Sequence, residues 1–160
     1  MARKQSAGVI LYRFGNTGLE VFLVHPGGPF WARRDDGAWS IPKGEFTDPE
    51  PAEAAARREL AEETGLVLTA PLTPLPPILQ SRAKTIHPFA ACADFDPAQL
   101  RSNLFEMEWP PRSGRMAAFP EVDRAAWFSL EEAQRKIIAG QGPLLDAFRK
   151  LLSADNAEAK

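Results

Sequence analysis

Glu53, Glu59, Glu62 and Glu63 crowd a single stretch, PAEAAARRELAEET, from Pro51 to Thr64. It contains no glycine and no proline beyond its first residue. Ala, Glu, Arg and Leu dominate it, and these are among the better helix formers. One helix is therefore predicted here. At 100° per residue, Glu59 and Glu63 project within about 40° of each other, with Glu62 on the adjoining flank. Ala52, Ala55 and Ala56 share the face of Glu59 and Glu63, so the small-residue face expected to pack runs into acids. Like charges at these spacings repel, at a cost of about a few tenths of a kcal/mol per pair in an isolated helix. Two readings are open for such a face. It can be a solvated acidic surface, or it can offer oxygen ligands to a divalent cation, with magnesium or manganese suited to a carboxylate-rich site.

The residues around the acids favour the second reading. Gly44, Glu50, Arg58, Glu59, Leu60, Glu62, Glu63, Gly65 and Leu66 fit the pattern G-x5-E-x7-R-E-U-x-E-E-x-G-U, where U is aliphatic, with no insertion or substitution. The pattern is the Nudix box, and the sequence resembles the Nudix hydrolase family. SAGVILY near the start, WSIPKGE entering the box and AAWFSLEEA near the end extend the likeness over most of the chain. The resemblance implies an α/β fold, an α/β/α sandwich with a mixed β-sheet and a loop–helix–loop metal-binding box. It also implies Mg2+, or Mn2+, and hydrolysis of a nucleoside diphosphate linked to a second moiety. Glu59, Glu62 and Glu63 match the acids that ligate metal in the family, with the Gly44 carbonyl as a further ligand. Glu59, Glu62 and Arg58 fall at catalytic positions. Arg58 and Glu50 match the pair that supports the box and orients its acids.

Cleaving a pyrophosphate by in-line attack of water demands cations on the phosphate oxygens and a group to take the proton of the water. Some family members carry a further acid outside the box, ahead of a tryptophan comparable to Trp127. Glu121, in PEVDRAAW, is the candidate, with Glu106 and Glu108 of NLFEMEWPPRSGR as competitors. For the substrate, Lys43 precedes Gly44 as in the PKG sequence of several Nudix subgroups. Arg33, Arg34, Lys84, Arg112 and Arg115 fall in predicted loops and offer charge-assisted bonds to phosphate. Trp31, Trp39 and Trp109 can stack on a base, although Trp39 can equally be core. Trp127, His25 and His87 read as structural, and Cys92, in AACA, as a small buried hydrophobe.

Substrate marks are sparse. No proline stands at the downstream spacing associated with ADP-ribose hydrolases, where Ser81 and Arg82 fall, and the only tyrosine, Tyr12, precedes the box. PKGE leans toward dinucleoside polyphosphates, with a nucleoside triphosphate as the main competitor. A non-catalytic nucleotide-binding sensor on the same fold is the alternative, and an intact acid set argues against it. An isomerase on this scaffold would need its own nucleophile or base, and Cys92 lies in no recognisable motif of that kind.

The elements that must position these residues follow from local pattern. AGVILY (Ala7–Tyr12) and EVFLVH (Glu20–His25), joined by GNTG, predict a β-hairpin. Asp48 is the expected N-cap of the box helix, with Pro49 or Pro51 in its first turn and Gly65 beyond its end. Pro71–Pro77 is a stiff connector. Strands are expected near Ile78–Arg82 and Thr85–Phe95, mainly loop over Asp96–Pro120, and a short strand at Ala125–Phe128. Helices are expected at Leu130–Ile138 and Leu144–Leu152. Residues 1–152 then make one domain and 153–160 a frayed tail.

Composition agrees with a single globular domain. The chain has 160 residues, 44% of them hydrophobic and 25% charged, and a net charge of −2. That balance provides no broad basic surface for duplex nucleic acid or anionic membrane. One cysteine cannot form an internal disulfide. The basic start, MARKQSAGVILYRFG, lacks the uninterrupted apolar run and cleavage site of a signal peptide. A cytoplasmic protein acting on a small-molecule nucleotide is expected. Fifteen prolines, about twice ordinary usage, fall mostly in the segments around the box.

Overall fold

The computed structural model describes residues 2–158. Strand β1, Lys4–Gly15, turns through Asn16 and Thr17 into β2, Gly18–Pro26, with Tyr12 opposite Val21. Both strands outrun the apolar runs that predict them, because the hairpin ladder continues to the turn and the start of β1 pairs with the later strands Lys43–Phe46 and Lys84–Cys92. After a loop, β3, Lys43–Phe46, returns antiparallel along the start of β1 and sets Gly44 opposite Ala7. Helix α1, Ala52–Thr64, follows.

The N-cap of α1 is Pro51, not Asp48, and its side chain makes no capping bond. Proline has a fixed φ suited to a helix start, and its carbonyl takes the Ala55 N–H at 3.0 Å. At the other end Gly65 turns left-handed, φ 85°, and donates to the Ala61 carbonyl at 2.8 Å. That conformation is open to glycine at little cost and closes the helix.

Beyond the box, β4 (Thr73–Pro74) and β5 (Ile78–Ser81) flank β6, Lys84–Cys92. β6 runs parallel to β1 over a continuous register from Lys4↔Lys84 to Tyr12↔Cys92, which makes the sheet mixed. The segment expected to be loop is not wholly so. It contains a single 3-10 turn at Pro97–Gln99 and a separate two-stranded hairpin, β7 (Leu104–Glu108) with β8 (Met116–Pro120). β9, Val122–Ser129, starts earlier than expected and pairs antiparallel with β2. α2, Leu130–Lys136, is capped by the Ser129 hydroxyl, which accepts the Glu132 N–H at 3.1 Å. α3, Gly142–Glu158, carries helix through most of the segment expected to be a frayed tail, while 159–160 lie outside the described residues.

The seven-stranded sheet has two covered faces. Alternation along β1 and β2 sends Ala7, Val9, Leu11, Phe22 and Val24 toward Ala55, Ala56 and Leu60 of α1. Ile10, Val21 and Leu23 point the other way, onto Ala133 of α2 and Leu144, Leu145 and Phe148 of α3. The result is the α/β/α sandwich expected from the box. Cys92 is exposed at the end of β6, not buried as expected, because the ladder stops there instead of running to Phe95. Among the described residues, no helix is long and apolar enough to cross a membrane.

Candidate functional site

The acids of α1 face β3 and the start of β9. Glu59 and Glu63 keep only 8% and 9% of their surface exposed. Carboxylates are rarely buried this far without partners. Arg58 supplies the main one. Its Nε and Nη2 hold both Glu50 oxygens at 2.9 Å, a bidentate pair, while Nη1 donates to Glu59 Oε1 at 2.8 Å and to Glu62 Oε2 at 3.2 Å. The Lys43 backbone N–H donates to Glu63 Oε1 at 3.2 Å. At Gly44 a Cβ would fall onto the Glu59 carboxylate, so only glycine leaves that acid its place against β3.

Glu121 joins these acids. It stands between the end of β8 and the start of β9, and with Ser40, Lys43, Glu63 and Val122 it lines a cavity of about 130 Å³. The electrostatics record the crowding. Burial pushes the Glu63 carboxyl up to about 8, against the opposing pull of the Lys43 N–H and ammonium. Burial raises Glu59 as well, offset in part by Arg58 and reinforced by Glu62 and Glu121. Glu121 is raised by burial and by the neighbouring charge of Glu62. The Lys43 ammonium is pushed down by burial and by Lys84. By contrast the Glu50 carboxyl is held low by its bonds to Arg58.

Four acids thus meet two cations, and Arg58 is already shared with Glu50. Among the described residues no three carboxylates converge on a single point, and Glu59 and Glu62 each turn an oxygen to Arg58. The donor set nevertheless fits a hard divalent cation: only oxygens, surplus negative charge, and Glu59 and Glu63 proton affinities that burial raises beyond what Arg58 and Lys43 offset. Glu59, Glu62, Glu63 and the carbonyl of Gly44 are the residues that could hold one.

The other expected residues divide. Trp39 is core, 5% exposed, and is not available to stack on a substrate. Its ring packs edge-on against His25 and Phe128, and its indole N–H donates to Asp35 Oδ1 at 2.8 Å. A strand bridge to Ile137 draws its backbone inward. Arg33 is exposed on the loop between β2 and β3, and Arg112 is exposed at the β7–β8 tip, where its backbone N–H meets Glu108 Oε1 at 2.6 Å. Neither reaches the acid cluster through any contact observed. Exposed aromatic surface lies instead at Phe30, edge-on to Trp109 at 5.5 Å between ring centres. His25 is fully buried between Asp123 Oδ1 at 2.8 Å and the Arg34 carbonyl at 2.6 Å, a structural role as expected.

Sequence reasoning missed the segment 101–103, which touches both α1 and the Glu121 backbone. Its residues RSN carry no motif, and their value comes only from where the chain places them.

Comparison with known proteins agrees with this architecture. The NUDIX domain family model matches residues 2–148. A stretch of 51 residues is 49% identical to the RNA pyrophosphohydrolase of Caulobacter vibrioides. It covers 29% of this chain and 30% of that protein, so less than a third of the relative's length is matched. Among solved structures, the NUDIX domain of Shewanella oneidensis NrtR, complexed with ADP ribose, superposes with a TM-score of 0.67 at 19% identity, covering 95% of this chain and 90% of that one. A C. elegans Ap4A hydrolase binary complex gives 0.66 at 24% identity, covering 93% and 98%. At these identities the superpositions establish the fold, while the family match spans nearly the whole chain and contains the complete box. The chain belongs to the NUDIX domain family.

Proposed function

We propose that this chain is a divalent-metal-dependent pyrophosphohydrolase. It cleaves a nucleoside diphosphate linked to another moiety, a dinucleoside polyphosphate or a nucleoside triphosphate, by attack of water on phosphorus. The observation that supports the reading is the placement of Glu121 in one cavity with Glu63 and Lys43, beside Glu59 set against Gly44. A bound Mg2+ or Mn2+ would neutralise phosphate oxygens and make water a stronger nucleophile.

The chain's own residues have separate tasks. Glu59, Glu62, Glu63 and the Gly44 carbonyl hold the cation. Arg58, anchored by Glu50, keeps Glu59 and Glu62 oriented through one shared nitrogen. Glu121 is the acid best placed to take the proton of the attacking water. It lies beside the box acids yet is free of Arg58 among the contacts observed, and its raised proton affinity suits a base. Lys43 faces the phosphates from the cavity wall, and Arg33 and Arg112 are candidate outer contacts.

The test is a substrate panel with magnesium, then manganese, then chelator. It includes nucleoside triphosphates, dinucleoside polyphosphates, ADP-ribose, nucleotide sugars and an RNA with a 5′-triphosphate, the last suggested by the name of the Caulobacter relative. Cleavage that needs metal and falls about a hundredfold or more in Glu62→Gln supports the enzyme. Nucleotide binding without turnover across the panel would favour the sensor. Hydrolysis in labelled water then identifies the phosphorus attacked.

A further inference from the structure

Glu121 belongs to no element of its own. It occupies the joint between Pro120, the last residue of β8, and Val122, the first of β9. Its peptide is gripped on both sides. The N–H donates to the Asn103 carbonyl at 2.8 Å, and the carbonyl accepts the Gly27 N–H at 2.9 Å.

Residues 101–103 also reach in the opposite direction, to the end of α1. The Arg101 N–H donates to the Thr64 carbonyl at 2.9 Å and the Asn103 N–H to the Glu62 carbonyl at 2.8 Å. The strap lies close over the helix end, with Arg101 Cβ 3.2 Å from where a Cβ on Gly65 would sit. Ser102 stands at its centre. Its hydroxyl accepts the Val122 N–H at 2.9 Å and donates to the Asn103 carbonyl at 3.0 Å. That carbonyl is the one receiving the Glu121 N–H. Val122 is buried, so its N–H has little access to water in place of the hydroxyl.

We propose that Ser102 is a positioning residue, whose hydroxyl fixes Glu121 relative to the acids of α1 by tying the 101–103 strap to the Glu121–Val122 backbone. The inference rests on the pyrophosphohydrolase reading, in which Glu121 works beside Glu59, Glu62 and Glu63. The link is short. Glu62 and Glu121 share Asn103, one through its N–H and the other through its carbonyl, and Ser102 governs how that residue sits. Alanine at 102 leaves the Val122 N–H without its acceptor and the Asn103 carbonyl with one donor fewer. Threonine preserves both bonds.

The test uses the full chain, magnesium and the best substrate of the panel. Ser102→Ala is expected to lower kcat about tenfold, as a small displacement of a reacting group does, with KM unchanged within about twofold. Ser102→Thr restores at least half of the wild-type kcat. The double variant Ser102→Ala, Glu121→Gln is no slower than Glu121→Gln alone, because the hydroxyl acts through that carboxylate. A wild-type kcat in Ser102→Ala, a loss confined to KM, or losses that multiply in the double variant would overturn the assignment. Should Ser102→Ala fail to fold, Ser102→Cys takes its place, with its weaker donor and acceptor and the same expected order. A wild-type chain that turns over nothing in the panel defeats the enzyme reading, and the positioning role falls with it. Turnover by the wild type with an indifferent Ser102→Ala defeats the positioning role alone.

Discussion

Arg58 divides one guanidinium among three acids, and that division fixes what single substitutions should do. Its fork is committed to Glu50, so the nitrogen shared by Glu59 and Glu62 cannot swing away without breaking a bidentate pair. Lysine at 58 keeps the charge but offers no fork. Arg58→Lys is expected to fall at least about tenfold in kcat while remaining folded, a loss read from steady-state kinetics beside a melting curve. Gly44 gives the sharper experiment. Its strand is pinned to β1, so an added Cβ can be accommodated only by moving the Glu59 carboxylate. Misplacement of about 1 Å can cost about a hundredfold in rate. Gly44→Ala should therefore lose about ten- to a hundredfold in kcat with the chain still folded, and a wild-type rate would show that the position of Glu59 is immaterial. These residues were all legible in the sequence, because the box is a local pattern and its helix brings its own acids together. Trp39 was not, since its burial depends on the loop it shares with Asp35 and on packing against Phe128 and His25 from other strands.

At the scale of elements, the β7–β8 hairpin holds two of the candidate acids outside the box apart from the third. Glu106 and Glu108 lie opposite Ala118 and Met116 along an exposed ribbon, and Glu108 is engaged with the Arg112 N–H at its tip. Glu121 follows the base of the same ribbon, where the chain turns back into the main sheet. Glu106→Gln should keep the wild-type kcat, whereas Glu121→Gln should slow turnover at least about tenfold, both measured at saturating substrate and metal. Equal losses would mean that the hairpin as a whole closes on the substrate. The sequence marked Glu121 through its distance from Trp127, yet concealed the hairpin beside it. Only Phe105 and Met107 alternate toward partial burial in β7, and the proline-rich tip reads as loop. For the same reason the strap at 101–103 was invisible, since its bonds run between main-chain groups and leave no preference for residue type beyond a hydroxyl.

For the molecule as a whole, two cores on opposite faces of one sheet separate stability from chemistry. AGVILY and EVFLVH announced a β-hairpin through their apolar runs, but the parallel register of β1 with β6 joins residues too far apart in sequence for any local pattern to show. Side-chain alternation lets β1 and β2 each serve both faces. Phe148, fully buried on α3, belongs to the face away from α1, while Leu60, equally buried, sits between Glu59 and Glu62 on the box helix. Phe148→Ala should cost about 3–5 kcal/mol and Leu60→Ala about 2–5 kcal/mol, both as cavities in packed cores. For a chain of this size the first corresponds to a fall in Tm of about 6–20 °C. Their catalytic effects should differ. Below its melting range Phe148→Ala keeps its kcat, because the sheet stands between the cavity and the acids. Leu60→Ala loses kcat as well, because the side chain that seats α1 against β1 also fixes how far Glu59 and Glu62 stand from Gly44 and Glu121. Calorimetry with kinetics on the folded protein separates the two, and a Phe148→Ala enzyme as impaired as Leu60→Ala would mean that the two faces are mechanically one.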